Sequence, residues 1–334
     1  MSDDIACAIA YPNIALIKYW GKRDEALVLP VTGSLSMTLD IYPTTTRVQL
    51  VDSAGADIVF LDGQRAEAPA HRRVERFLDV VREWSGRTER AVVHTTNTVP
   101  TGAGLASSAS GFAALATAAA AAFGLRLDDR ARSRLARRGS GSACRSIFGG
   151  FVQWHAGHGD GRAGDRSSYA EPIADCALDP ALVVAVVDAG AKAVSSRQAM
   201  RQTMATSALY LPWACANAWQ IDQMRAAMAR GDLAAVGEIA EHNALGMHAT
   251  MLAARPGIRY LAPGSVAVLD RILLLRNAGI PAYGTVDAGP NVKVLCARAD
   301  ATAVAEAIED VGDYVTTRVA HPGRGAVLVP GEPS

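Results

Sequence analysis

The segment Pro100-Thr-Gly-Ala-Gly-Leu-Ala-Ser-Ser-Ala-Ser-Gly111 has the composition of an anion-holding loop. It follows a β-rich run, Ala91 to Val99, and feeds an alanine-rich stretch, so it reads as strand, glycine loop and helix N-terminus. Gly102 and Gly104 let the backbone bend tightly and approach a ligand. Ser107, Ser108 and Ser110 supply hydroxyls where the first helical turn leaves N–H groups unpaired and the helix dipole is positive. Phosphate is the anion such a loop suits best; the alternative is a glycine-serine turn that only caps a helix. No Gly-Lys-Ser/Thr follows, which excludes a Walker A loop. Gly102-Ala-Gly-Leu-Ala-Ser107 has serine where a dinucleotide fingerprint needs its third glycine, and no parallel βαβ pattern surrounds it.

Four further segments carry side chains suited to chemistry. In Asn13-Ile-Ala-Leu-Ile-Lys-Tyr-Trp-Gly-Lys22, Lys18 and Lys22 stand one turn apart on a helix, or Lys18 alternates with Tyr19 on a strand. Solvated lysines are the ordinary case, but Lys18 lies inside an apolar run, where an ammonium needs an acidic partner. Gly139-Ser-Gly-Ser-Ala-Cys-Arg-Ser146 is a second glycine-serine loop, and the planar fork of Arg145 suits a carboxylate or phosphate. Two such loops imply one ligand with several anionic groups, or two ligands. Val194-Ser-Ser-Arg197 offers hydroxyls and an arginine to an anion, or is an N-cap followed by a surface arginine. Thr285-Val-Asp-Ala-Gly-Pro-Asn291 brings Asp287 to a tight bend, where it either stabilises the turn or serves as a base or cation partner. The seven histidines show no metal spacing.

The elements that must position these residues alternate short strands with helices. Arg47–Val51 and Asp57–Leu61 read as strands, with Asp62-Gly63 a type I′ hairpin signal, and 71–85 reads as an amphipathic helix. The alanine helix from about Ser108 has almost no polar side and must be buried, with Gly124 as its C-cap. A helix over Asp128–Arg138, a strand to Trp154 and a surface loop over His155–Asp165 follow. Leu178-Asp-Pro180 is the seam between an N-terminal domain over 1–180 and a C-terminal domain over 181–334. The second half reads as a strand over 182–188, a helical run from 196 to 254 interrupted by Pro212, a helix over 265–278, two strands about a tight turn, and a helix over 301–311. That order is α+β and ferredoxin-like.

Composition narrows the class. At 334 residues the chain has room for two cores. Half the residues are apolar and a fifth charged, as in globular proteins. The formal net charge is zero, so no global field draws it to nucleic acid or to a membrane. The basic run Arg130–Arg138 spreads its arginines around a helix without aromatics, which argues for a solvated helix over an RNA surface. Five scattered cysteines point to a reducing compartment, the N-terminus lacks the regions of a signal peptide, and no apolar run is long enough to span a bilayer. A soluble cytoplasmic protein is expected.

Taken in order, the segments resemble the GHMP kinase superfamily, whose hallmark Pro-x-x-x-Gly-Leu-x-Ser-Ser-Ala is here Pro100 to Ala109. Within it the match is to the diphosphomevalonate decarboxylases, through Asn13–Asp24, Gly104–Ala109, Gly139–Ser146 and Asp287–Asn291. The resemblance implies a GHMP-kinase-like two-domain α+β fold and ATP-dependent decarboxylation of (R)-5-diphosphomevalonate. It implies Asp287 as the catalytic aspartate, Lys18 as the cation beside it and Arg145 on the substrate carboxylate. Tyr19, Trp20, Gly21, Lys22, Arg73, Ser140, Gly141, Ser142, Ala143, Cys144, Ser196 and Arg197 would bind substrate. Pro100, Gly102, Gly104, Leu105, Ala106, Ser107 and Ser108 would bind ATP, with Ser107 also on Mg2+. A homodimer is implied as well, with no nucleic acid or membrane partner. A decarboxylase of the 5-monophosphate, or a kinase that stops at phosphorylation, is the alternative.

Overall fold

An alanine-rich segment favours helix intrinsically, and with no polar face it is stable only when covered. In the computed structural model, which describes residues 4–52, 55–98, 107–188, 190 and 194–330, this helix runs Ser107–Ala122 and is buried throughout 112–120. The hydroxyl of Thr117 donates back to the Ala113 carbonyl at 2.9 Å, so it needs no outside partner. Gly124, at φ 69°, ends the helix, and Leu125 N–H reaches the Ala120 carbonyl at 2.8 Å, closing a Schellman motif.

This helix packs on a six-stranded sheet ordered Val327–Val329, Ile5–Ala10, Thr44–Val51, Arg90–Asn97, Ile58–Leu61, Gln64–Arg65. The expected amphipathic helix is Ala68–Ser85, and its Val74, Phe77, Leu78 and Val81 complete the core. Asp62 and Gly63 both have positive φ, 50° and 78°, as a type I′ turn requires. One pairing departs from expectation: Ile58–Leu61 runs parallel to Arg90–Asn97, joined through helix Ala68–Ser85. The other pairings among the described strands are antiparallel, so this single crossover does not make a doubly wound sheet.

A second sheet, ordered Ala170–Pro172, Phe151–Trp154, Ser34–Thr38, Asn13–Ile17, faces the C-terminal half. Ile14, Leu16, Leu35 and Met37 share one core with Met224 and Met228 of helix Tyr210–Ala229, Val236 and Ala240 of helix Leu233–Leu252, and Leu182 and Leu295 of the third sheet. That third sheet is ordered Ala282–Val286, Val292–Ala297, Pro180–Val186, Thr316–Ala320 and is antiparallel. Numbered in chain order its strands run 2-3-1-4, with helices in both crossovers, which is the ferredoxin-like arrangement. The seam near Pro180 divides the sequence but not the hydrophobic core, and Val327–Val329 returns to pair with Ile5–Ala10 in the first sheet.

Two local expectations are corrected. Pro212 does not interrupt the helical run; it sits in the first turn of helix Tyr210–Ala229, where its missing N–H is harmless, and the break falls at 207–209. The stretch read as a surface loop over His155–Asp165 leads into helix Gly161–Ser167. Asp165 draws it inward by pairing with Arg134 and Arg137, so two arginines of the basic run are engaged within the protein and Arg137 is fully buried.

Candidate active site

A cavity of about 1190 Å3 opens where strand ends from both halves meet. Lys18 leaves strand Asn13–Ile17 just after a register shift between Ala15 and Ile17, so it follows a strand rather than lying on a helix. It is 2% exposed, and its Nζ donates to Asp287 Oδ1 at 2.7 Å and to the Ala15 carbonyl at 2.9 Å. Its backbone is gripped from the C-terminal half. The Lys18 N–H donates to Asn243 Oδ1 at 2.8 Å, and its carbonyl accepts from Asn217 Nδ2 at 3.3 Å. Asn243 Nδ2 in turn donates to Asn217 Oδ1 and Gln220 Oε1, completing a buried amide network.

Asp287 follows strand Ala282–Val286, and the Gly289 N–H closes the turn onto its carbonyl at 2.8 Å. Its second oxygen, Oδ2, lies 3.3 Å from Nζ of Lys293, a residue that sequence reasoning missed. Burial by itself would raise the Asp287 carboxyl, but the attraction of Lys18 and Lys293 outweighs it and holds the group well below the usual carboxylate range. Burial also depresses the Lys18 ammonium, opposed by the charge and hydrogen bond of Asp287. His248, buried against the Val286–Asp287 backbone, is lowered to about 4 by burial and by the charge of Lys18, so its imidazole is neutral near pH 7.

Arg145 rides on the short 3-10 helix Gly141–Ile147. It is 2% exposed; Nε donates to Asn13 Oδ1 at 3.1 Å and Nη1 to the Ser34 hydroxyl at 2.5 Å. Asn13, also outside the predicted set, donates through Nδ2 to the Ser142 carbonyl and the Ser146 hydroxyl, locking loop to strand. These hydrogen-bond partners are neutral, so the guanidinium charge remains for a ligand.

Tyr19, Trp20, Lys22, Arg73, Ser108, Ser140, Gly141, Ser142, Ser196 and Arg197 all line the cavity with Lys18, Arg145 and Asp287. Among the described residues, the Tyr19 hydroxyl, Trp20 Nε1 and Arg73 Nε are buried without a protein partner. Buried polar atoms are normally paired, so three orphans around one cavity fit a polar ligand. Gly141 is required by close approach, since a Cβ there would come within 2.8 Å of the Tyr19 ring. Ser108 and Ser140 hydroxyls stand 3.2 Å apart, bringing the two glycine-serine loops together. Ser195 caps helix Ser196–Thr206 by accepting from Gln198 N–H, while Ser196 and Arg197 border the cavity, so both readings of that segment hold for different residues.

The other residues of the expected set lie elsewhere. Ala143 and Cys144 are fully buried in the core, and Cys144 Sγ donates to the Gly141 carbonyl at 3.0 Å. Gly21 does not line the cavity; at φ 122° it turns the chain against the Tyr210 hydroxyl, which a Cβ would meet at 2.0 Å. Ser110 points to Thr44, whose hydroxyl donates to it at 2.7 Å, and is fully buried. Pro100, Gly102, Gly104, Leu105 and Ala106 lie outside the described residues. Ser107 opens the helix and is exposed. Among the described residues no three His, Cys, Asp or Glu side chains gather as a metal cage. Magnesium on a nucleotide keeps several waters and takes only one or two protein ligands, so the hydroxyls at this helix start suit it.

Residues 10–170 match the diphosphomevalonate decarboxylase-like N-terminal domain, and residues 182–321 match the mevalonate 5-diphosphate decarboxylase C-terminal domain. The diphosphomevalonate decarboxylase of Aspergillus fumigatus is 35% identical over 327 residues, covering 92% of this chain and 80% of that one. A phosphomevalonate decarboxylase of Haloferax volcanii is 33% identical, covering 92% of this chain and 93% of its own. A solved complex with MVAPP, AMPPCP and magnesium superposes with a TM-score of 0.91 at 42% identity, over 98% of this chain and 99% of that chain. The chain belongs to the diphosphomevalonate decarboxylase family.

Proposed function

We propose that the protein catalyses ATP-dependent decarboxylation of (R)-5-diphosphomevalonate, giving isopentenyl diphosphate, ADP, phosphate and carbon dioxide. The observation that carries this reading is the ion pair between buried Lys18 and Asp287, whose carboxylate is open to one cavity shared with Arg145, a buried arginine whose hydrogen-bond partners are neutral. A kinase that stops at phosphorylation needs the first feature but not the second.

Asp287 orients the tertiary C3 hydroxyl and accepts its proton as the γ-phosphoryl arrives. Held below ordinary basicity, it cannot ionise the hydroxyl beforehand, so positioning and charge stabilisation dominate the step. The C3–O bond then breaks with its electron pair leaving on phosphate. The departing phosphate takes the proton back from Asp287, the C1–C2 pair becomes the new C2–C3 double bond as carbon dioxide departs, and the re-ionised Asp287 carboxylate stabilises the positive charge that develops at C3. Arg145 holds the C1 carboxylate in line. Tyr19, Trp20, Lys22, Arg73, Ser140, Ser142, Ser196 and Arg197 hold the diphosphate and carboxylate. Ser107 and Ser108, with the loop before them, hold the ATP phosphates. Ser107, together with those phosphates, would hold magnesium, which would supply neutralisation of phosphate charge. The N-terminal domain, 1–180, thus supplies the nucleotide loop and the C-terminal domain, 181–334, the aspartate.

The Haloferax relative gives the monophosphate a specific claim as substrate. The diphosphate is favoured by the number of cations along the cavity, with Lys22, Arg73, Arg76, Arg138, Arg197 and Arg201 all at its walls. We place the enzyme in the cytoplasm as a homodimer without nucleic-acid or membrane partners; no described helix is long and apolar enough to cross a membrane. Light scattering tests the dimer. The decisive assay measures ADP and carbon dioxide together on mevalonate, its 5-phosphate and its 5-diphosphate. Equal release with the diphosphate alone is expected. ADP without carbon dioxide gives the kinase reading, and a preference for the monophosphate gives the other.

A further inference from the structure

We infer that Lys293 is a positioning residue of the reaction centre: a second ammonium that fixes the Asp287 carboxylate so that its remaining lone pairs face the substrate. The inference deepens the decarboxylase reading above and rests on it. Strand Val292–Ala297 alternates, with Val292, Val294 and Cys296 in the core against the outer helices. Leu295, on the opposite face, joins the core shared with the N-terminal half. Lys293 shares that face and is 1% exposed, opposite Thr285 in the register of the neighbouring strand. Its Nζ lies 3.3 Å from Asp287 Oδ2 and 3.2 Å from the Asn291 carbonyl. It is not part of the cavity wall, so it acts on substrate only through Asp287.

The terminal torsion of an aspartate is broad, so one cation on one oxygen leaves the carboxylate plane free to rock. With Lys18 on Oδ1 and Lys293 on Oδ2 both oxygens are pinned. An ionised carboxylate has about four lone-pair sites, so acceptor capacity remains for the C3 hydroxyl. Charge counting separates this role from a structural one. Lys18 alone neutralises Asp287, and a second buried ammonium leaves the cluster net positive before Arg145 is added. Such an excess is unfavourable in the free protein and favourable once an anionic substrate arrives.

Lys293→Met, neutral and of similar shape, is compared with wild type and Asp287→Asn in the coupled ADP and carbon dioxide assay and by thermal melting. Expected are a fall in kcat of roughly 10–100-fold with KM for ATP held within about twofold, because the nucleophile is misaimed while the nucleotide loop is intact. The melting temperature holds or rises. Lys293→Gln, measured alongside, gives the same signs. A kcat within about threefold of wild type, or a loss that appears as a raised KM for ATP with kcat unchanged, overturns the inference. So does a lowered melting temperature, or failure to fold, in both variants, which makes Lys293 a packing residue. Wild type that releases no carbon dioxide removes the decarboxylase reading itself, a result distinct from either.

Discussion

At the deep end of the site Lys18, on the cavity wall, and Lys293, behind it, are 2% and 1% exposed and grip both oxygens of one carboxylate, whereas at its mouth Glu25, with 45% of its side chain exposed, takes Lys22 at 2.7 Å and Arg201 at 2.9 Å. The types of charge are the same and the surroundings differ. Inside, an unpaired ion is costly, so each position is over-determined: Asn217 and Asn243 hold the Lys18 backbone, and Asn13 and Ser34 hold Arg145. Outside, water and salt screen Glu25 and Arg201, which exchange partners at little cost, while the Lys22 side chain stays mostly covered. One end of the site is built for fixed geometry and the other for capture and release.

The comparison is most sharply tested at Asp287. Asp287→Asn should lower kcat by about a thousandfold or more while ATP affinity holds, measured by turnover and by nucleotide titration. A variant retaining more than about a tenth of the rate would show that the deep end is not the reaction centre. Because the folded carboxyl is depressed below 3.8, the stability and activity that Asp287 supports are present above that value and lost only as pH falls through the lower one. No acid limb between about pH 5 and 8 should therefore belong to Asp287 in wild type, and a pH–rate profile checks this.

Arg145→Lys should cut kcat by roughly 10–100-fold, because a point charge cannot keep the Asn13 and Ser34 contacts while gripping a carboxylate. An effect on KM alone would move Arg145 from the reacting carboxylate to general binding. Asn243→Ala should cost about 1–3 kcal/mol of stability, because it strands the buried Lys18 N–H and the Asn217 and Gln220 carbonyls. It should also lower kcat by roughly tenfold as Lys18 drifts. Denaturant melts and turnover together decide it: lost stability with unchanged kcat would confine the amide network to folding.

What was legible in the chain was local. The buried alanine helix, the Asp62-Gly63 hairpin and the βαββαβ order of the second half follow from period, turn chemistry and composition. Partners far apart in sequence were not. The argument that an ammonium in an apolar run needs an acid found Lys18, and it applies equally to Lys293 in Asn291-Val-Lys-Val-Leu-Cys296. What hid Lys293 is register, since only the pairing of Ala282–Val286 with Val292–Ala297 sets it beside Asp287. Asn217 and Asn243 lie in two different helices and gain meaning only when those helices close on Lys18. Ala143 and Cys144 pack into hydrophobic cores because the 3-10 helix Gly141–Ile147 is covered on nearly every side, with Ser142 its least buried residue, so a contiguous motif is not a contiguous cavity surface.

The smallest effect belongs to the mouth. Glu25 is held down to about 2, chiefly by its hydrogen bond from Arg201, with burial opposing and Lys22 adding to the shift, so it is ionised across the working range. It faces the cavity on the turn before Leu29–Pro30 and ties the N-terminal half to helix Ser196–Thr206. On the proposed reading, an incoming diphosphate would compete with Glu25 for the same two cations. Glu25→Gln keeps the hydrogen-bonding shape, removes the competing charge and should change KM for substrate by no more than about threefold, downward, with kcat nearly unchanged. The difference should shrink further at about 0.5 M salt, where the Debye length is only a few ångströms. A tenfold loss of kcat in this variant would mean that the mouth is as rigidly coupled to the chemistry as the deep end, and the contrast between the two would not stand.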